Sequence, residues 1–426
     1  MIKKVKQILL ILFPVLIFSI FLHVYYDGNI FKLSNIQSVI AVFALSFTIL
    51  DKTSFKINKN AFALYLFITV CFISCFFSDD FLSSLKRFFI VFIPFLIIFQ
   101  TYLNIDSVKE VKESIEKYFI YFVIFLVIYA LTIFLFDYFG SYGIRSHEIT
   151  KSDFFNLGQI YYTRKDLFGS SNALINQQVD IYRPSSLLSN TIGFSHLVLL
   201  AIYMNHFNEN SSRLTKNILY FLFIITLFWT FSRINILIFM LVPFLIYLAR
   251  YKRYFISFLI VKVFLFFLLL IFQIHNQTEN LVFFDTINPG NYTDRFEIYK
   301  VTLLSFEDYF YKGVGFGQGS ENFIMKKYLS LSSFYENQNL AIPSVPITIL
   351  VETGCLGLFF YILLIPLVIK NNNNFYKKSV MSIFVIIIII QLTQYFDISL
   401  FRFHPLTFIF AVYLGIGCNK NSKFNV

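Results

Sequence analysis

The sequence predicts an all-α polytopic membrane protein, with about 12 transmembrane helices and two long exterior loops that carry short amphipathic helices. Three observations predict this. Of 426 residues, 57% are hydrophobic and only 14% charged, where a soluble domain has roughly 45–50% and 25%. One core cannot absorb that excess, so lipid must solvate much of the surface. Apolar runs of spanning length recur along the chain, and basic residues punctuate them in the pattern that sets membrane topology. The net charge of +11 therefore does not point to nucleic acid. No zinc-finger spacing, Walker loop or dinucleotide fingerprint is present either.

A span needs roughly 20 apolar residues. Candidates are 8–26, 34–50, 61–77, 85–103, 117–137, 187–204, 217–231, 234–249, 254–273, 344–369, 379–396 and 402–418. Ser232-Arg233 splits the seventh from the eighth without a real loop. Lys3, Lys4 and Lys6 precede the first run, as in a secretory signal. No small-residue cleavage site follows, and the run continues through His23-Val24-Tyr25-Tyr26, so it reads as an uncleaved span. With the N-terminus inside, the interior segments hold Lys52, Lys56 and Lys59; Lys109, Lys112 and Lys117; Arg213 and Lys216; Arg250, Lys252 and Arg253; Lys370, Lys377 and Lys378; and Lys420 with Lys423. All are short and basic, as the positive-inside rule requires. Both termini are then cytoplasmic.

The chain reads as one membrane domain, 1–426. Loop A, 137–182, and loop B, 273–343, fall outside. Loops longer than about 12–15 residues are usually functional or disordered. In loop B, Thr293–Leu304 has apolar residues at helical spacing, which predicts an amphipathic surface helix.

Seven of the ten arginines fall at or beyond the outer face: Arg87, Arg145, Arg164, Arg183, Arg233, Arg295 and Arg402. Lysine goes the other way. Guanidinium is the preferred rigid fork for phosphate and carboxylate oxygens, so the outer mouth suits an anionic ligand; with ten arginines, chance is the competing explanation. Arg183 stands before a span that carries Asn190, Thr191, Ser195 and His196. The histidine reads either as a base or as a satisfied buried residue. Arg233 is either an interfacial anchor beside Trp229 or a cavity-facing anion contact. Arg295 has Asp294 and Glu297 near it in sequence. Lys312-Gly313-Val314-Gly315-Phe316-Gly317-Gln318-Gly319 is Gly-rich without the ending of a phosphate loop. Repeated glycine permits tight turns or close approach. Glu352, in an apolar run, is a functional-site hypothesis by default. It reads as a base, a partner for an arginine or a protonated structural group. Lys262 is a second mid-span charge, and a carboxylate such as Glu352 is one candidate partner. Cys71 and Cys75 share a helix face and read as small buried residues. No metal-ligand spacing and no exterior Asp-x-Asp pair occurs, which predicts metal-independent chemistry with no cofactor.

Three ordered motifs then resemble a known superfamily, the bacterial O-antigen and capsule repeat-unit polymerases (Wzy type) and O-antigen ligases. They are Arg183-x-Ser185-Ser186 with Asn190; Thr230-x-Ser232-Arg233 between two close spans; and Arg295, then Gly313-Val314-Gly315-x-Gly317, then Glu352-Thr353-Gly354-x-x-Gly357. The resemblance covers roughly 180–365. It implies a GT-C-like glycosyltransferase of the bacterial inner membrane, working at the periplasmic or exterior face. An undecaprenyl-diphosphate-linked repeat unit would serve as donor and as acceptor, and undecaprenyl diphosphate would be released. Arg183, Arg295 and Glu352 would be catalytic. Arg233, Asn190, Arg145, Arg164, Gly315 and Asp294 would bind substrate. A chain-length regulator and a flippase would be pathway partners. One departure matters: the ligases carry a His-Asn pair where this chain reads Pro343-Ser344. That leaves Glu336, Asp294, His275 and Glu352 as candidate bases. It favours a polymerase over the alternative, a ligase acting on lipid A core. A glycolipid or ion-coupled transporter is the alternative of another class.

Overall fold

The structure is a computed structural model that describes residues 23–26, 29–32, 61–105, 108–140, 160–163, 180–183, 191–208, 211–230, 232–250, 262, 302, 305–318, 342, 344–370, 378–394 and 405–419. Its helices are α1 (Phe62–Ser74), α2 (Phe81–Leu103), α3 (Val108–Gly140), α4 (Thr191–Phe207), α5 (Arg213–Trp229), α6 (Arg233–Arg250), the short α7 (Phe306–Tyr309), α8 (Val345–Lys370), α9 (Lys378–Thr393) and α10 (Pro405–Cys418). Two antiparallel hairpins accompany them, β1 (His23–Tyr26) with β2 (Asn29–Lys32), and β3 (Ile160–Thr163) with β4 (Asp180–Arg183).

The expected dozen spans are corrected here. Among the described residues, three helices are long and apolar enough to cross a membrane: Phe81–Leu103, Val108–Thr132 and Val345–Leu364. Shorter apolar helices include Phe62–Phe77, Met381–Thr393 and Leu406–Cys418. Helices α4, α5, α9 and α10 have 17, 17, 16 and 14 residues. At about 1.5 Å per residue they rise only about 21–26 Å, short of a hydrocarbon layer of roughly 30 Å. The hydropathy of these runs continues across polar stops that end the helices. Helix α5 stops at Trp229 before Thr230 and Ser232, α9 stops at Thr393 before Gln394, and α10 starts at Pro405. The predicted run 8–26 is also broken, because His23–Tyr26 forms a strand. Loop A contributes the β3–β4 hairpin. The runs 34–50 and 254–273 (Lys262 apart) and most of Thr293–Leu304 lie outside the described residues. Multiple apolar helices remain, as in a multi-pass membrane protein.

The helices sort by burial. In α4 every residue from Phe194 to Asn205 is buried, and α9 and α10 are buried along almost their whole described length. Such helices are apolar on all sides and sit at the centre of a bundle. Helices α2, α3, α5 and α6 expose Ile90, Ile93, Phe125, Ile128, Ile225 and Met240. Helix α1 packs on α8, α2 on α10, and α9 on α10, α4 and α6. Gly415 permits the α2–α10 crossing: a Cβ there would stand 2.6 Å from the Phe99 carbonyl oxygen. Small residues allow close helix approach in apolar surroundings.

Pro94, Pro243 and Pro366 lie inside helices, and at the last two buried side chains close the gap in the backbone. A proline has no N–H for the carbonyl four residues before it. Pro243 in α6 so frees Phe239, and the Tyr203 hydroxyl of α4 donates to that carbonyl at 2.9 Å. Pro366 in α8 frees Ile362, and Lys262 Nζ donates to that carbonyl at 2.7 Å and to Tyr361 at 3.1 Å. Lys262 also stands 5.1 Å from the Tyr361 ring centroid, and Gln391 of α9 reaches the Tyr361 carbonyl at 3.4 Å. These contacts lie more than two helical turns beyond Glu352. Lys262 thereby acquires a backbone role.

Candidate functional site

Helix α8 is broken at Gly354, whose φ of +70° and ψ of −173° no helix accommodates. In an unbroken helix the Cys355 N–H would donate to the Val351 carbonyl. Here it donates to the Phe310 carbonyl at 2.7 Å. The Val351 carbonyl instead accepts from Val314 N–H at 2.9 Å, and the Glu352 carbonyl from Gly315 N–H at 3.1 Å. The segment 310–315 therefore supplies the hydrogen bonds that the break removes.

Glycine makes this docking possible. Gly313, Gly315 and Gly317 all have positive φ, at +73°, +102° and +79°. Each also faces a wall that leaves no room for a Cβ. Gly313 lies on the Glu352 carbonyl, Gly315 on the Ser78 side chain, and Gly317 on Arg87, where a Cβ would be 2.6 Å from Cδ. The segment is thus held between the α8 break and the start of α2. On the α2 side the Ser84 hydroxyl donates to the Phe316 carbonyl at 2.7 Å, and Arg87 Nη1 to the Gly317 carbonyl at 2.7 Å. The Phe316 ring packs on Phe92 and Phe88, with centroids 5.2 and 6.0 Å away. Upstream, Gly313 N–H donates to the Tyr309 carbonyl at 2.9 Å, and the Tyr309 hydroxyl to the Thr302 carbonyl at 2.6 Å. Burial pushes the Tyr309 hydroxyl above the ordinary phenol range, so it remains a neutral donor.

Glu352 occupies the last helical turn before the break and is only 5% exposed. Its carboxyl is near enough to Cys71 of α1, and to Cys75 just after that helix, to act on both electrostatically. A carboxylate in so dry a place must be hydrogen-bonded, protonated or paired. The ionised, hydrogen-bonded or paired form suits a proton acceptor or a group that orients a cation, and the protonated form suits a hydrogen-bond donor.

A second polar cluster lies between α4 and α6. The Asn235 amide donates to the Ser195 hydroxyl and, at 2.9 Å, to the Ser232 hydroxyl. Ser195 belongs to the helix that follows the first motif, and Ser232 to the second motif, so this helix and the second motif meet at Asn235. His196, next to Ser195, is buried.

Of the sequence-predicted site residues, Gly315 and Glu352 come together directly, through the 3.1 Å hydrogen bond. Arg183 ends β4, opposite Ile160, and Arg233 is the first residue of α6; for both, the backbone alone is described. Asn190, Arg145, Arg164, Asp294, Arg295, Glu336 and His275 lie outside the described residues. Ser78, Ser84, Arg87 and Asn235 were missed as site residues. Asn235 carried a signal, being a polar residue three positions beyond Ser232 in an apolar run. Ser84 and Arg87 carried only a weak one, since serine and arginine at a span entrance are common. Among the described residues, no three His, Cys, Asp or Glu side chains group closely enough to hold a metal ion.

No curated protein matches the chain. The family model Wzy_C, described as O-Antigen ligase, matches residues 218–362. That stretch runs from α5 through Thr230-x-Ser232-Arg233 and the glycine segment to the Glu352 break, and it excludes Arg183 and the whole of α1 to α4. The chain thus carries a Wzy_C domain, consistent with the O-antigen ligase and polymerase superfamily.

Proposed function

We propose that this protein is a glycosyltransferase of the O-antigen ligase kind, which moves a glycan from a lipid diphosphate to an acceptor hydroxyl at the exterior membrane face. The bond from the anomeric carbon to the diphosphate oxygen breaks, and a bond to the acceptor oxygen forms. The acceptor proton passes to a base, and lipid diphosphate leaves. Glu352 is the base or the group that orients it. Arg183, Arg295 and Arg233 neutralise the leaving diphosphate, with Asn190, Arg145, Arg164 and Asp294 around the sugars. Fixed cationic donors at a developing charge are commonly the largest catalytic term. Both termini are cytoplasmic, and a flippase and a chain-length regulator act in the same pathway.

The observation that carries this reading is the closure of the α8 break by the glycine segment. Broken helices in transporters present unwound carbonyls to a coupling ion. Here the Val351 and Glu352 carbonyls are taken by loop N–H groups, which supports a fixed site for chemistry over an ion-coupled carrier.

Polymerisation of repeat units is the second reading. Pro343-Ser344 stands where the ligases carry their His-Asn pair, and this supports a polymerase. Purified protein given a lipid-diphosphate-linked repeat unit, with and without lipid A core, separates the two. Glycan on the core indicates ligation; lengthening of the lipid-linked glycan without core indicates polymerisation. Glu352→Gln should abolish either product at normal protein level. Donor left intact under both conditions would reject the enzyme reading.

A further inference from the structure

We infer that Ser84 and Arg87 of α2 are positioning residues for the Glu352 site, although both lie outside the stretch that matches the family model. This rests on the transferase reading above and extends it to a part of the chain with no motif.

The glycine segment has two edges. Its inner edge carries the three backbone hydrogen bonds that define the α8 break and fix the Glu352 carbonyl. Those bonds alone do not set how deeply the segment sits, because Gly313, Gly315 and Gly317 leave its backbone few conformational limits. Depth is set at the outer edge. There Ser84 and Arg87 hold two consecutive carbonyls, those of Phe316 and Gly317, each at 2.7 Å. The bond from the guanidinium is charge-assisted, and such bonds are roughly twice as strong as neutral ones. The Arg87 stem also fills the space beside Gly317, with Cδ at 2.6 Å from a notional Cβ. Arg87 thus both pulls the carbonyl and blocks the segment from sliding outward. The link runs from the half-buried side chain of Arg87 through the backbone of Gly317 and Gly315 to the buried Glu352.

Cys75 offers a reporter that is independent of activity. It is fully buried, with its thiol in reach of Ser84 and of the Phe316 backbone, directly behind the segment. The test uses the full-length protein in detergent. N-ethylmaleimide labelling at Cys75, located by mass spectrometry, is compared with glycan transfer for Arg87→Ala, Arg87→Lys and Ser84→Ala. Arg87→Ala should raise labelling several-fold and lower kcat about a hundredfold with KM little changed, the size of effect that misplacement by about 1 Å produces. Arg87→Lys, which keeps one donor, should recover part of both. Ser84→Ala should move both in the same direction by less, and it serves if Arg87→Ala does not accumulate. Labelling at the parent rate in Arg87→Ala and Ser84→Ala would overturn the clamp. Raised labelling with unchanged kcat would overturn the positioning role. Full transfer by Glu352→Gln would instead count against the transferase site itself, while the labelling result would still decide the clamp.

Discussion

Lys262 Nζ stands 2.7 Å from the carbonyl oxygen of Ile362, the carbonyl that Pro366 leaves without a helical donor. A lysine buried in an apolar bundle is here a substitute for one missing backbone N–H.

Lys262→Met should therefore cost about 1–3 kcal/mol, the usual penalty for a buried acceptor left unsatisfied. Thermal unfolding in detergent checks this. Adding Pro366→Ala restores the backbone donor, so the double variant should recover most of the loss. The same logic applies to Tyr203→Phe with Pro243→Ala, at about 1 kcal/mol. Equal losses with and without the proline would show that the side chains do something else.

Gly313→Ala places a methyl group on the Glu352 carbonyl and forces alanine to a φ of +73°. Alanine at positive φ is destabilising even without a clash. The glycine segment should undock, and Cys75 should become reactive to maleimide. Gly417→Ala offers a contrast, because Gly417 has no positive φ and a Cβ there meets only ordinary contacts at 3.5–3.6 Å. An unchanged Cys75 in Gly313→Ala would mean that the segment shifts without leaving its slot.

Lys112 and Glu116, at the start of α3, form a 3.4 Å ion pair with side chains only 5% and 3% exposed. Breaking a buried pair by removing one partner costs about 3–5 kcal/mol, while replacing both with apolar residues is often neutral. Lys112→Met should therefore destabilise more than Lys112→Met with Glu116→Leu. Chemical denaturation of the parent and the two variants tests the order. A double variant less stable than Lys112→Met would refute the explanation.

Arg183→Ala and Arg295→Ala should each reduce glycan transfer by a hundredfold or more, about 2.7 kcal/mol of transition-state stabilisation, at normal protein levels. The assay is transfer from the lipid-linked donor by equal amounts of purified protein. Full product from both would remove the arginines from the reaction.

Sequence patterning identified the apolar, basic-punctuated character of the chain and placed Glu352 and Gly315 in one motif. The structure joins that pair by a hydrogen bond. The number of spans was not legible, because hydropathy averages over polar stops such as Ser232 and Gln394, whereas helical hydrogen bonding ends at them. The β1–β2 hairpin had a readable sign: Asp27-Gly28 lies between the strands in sequence, and Asp-Gly is a favoured tight-turn dipeptide. It was masked by the strong apolarity of the run before it. The clamp from Ser84 and Arg87 had almost no sign, since it reaches across 230 and more positions of sequence. Lys262 was visible as an anomaly, but its partner is a main-chain carbonyl, and no side-chain pattern reveals one.

The α8 break also imposes an order of events during synthesis. Residues 310–315 leave the ribosome before 351–355, so the template exists before the helix that it interrupts. Until the two meet, the Val351 carbonyl has its ordinary helical donor in Cys355, and α8 can enter the bilayer as an uninterrupted rod. Docking then gives the Val351 carbonyl and the Cys355 N–H new partners, Val314 N–H and the Phe310 carbonyl. The broken form of α8 thus depends on a partner segment that precedes it in the chain.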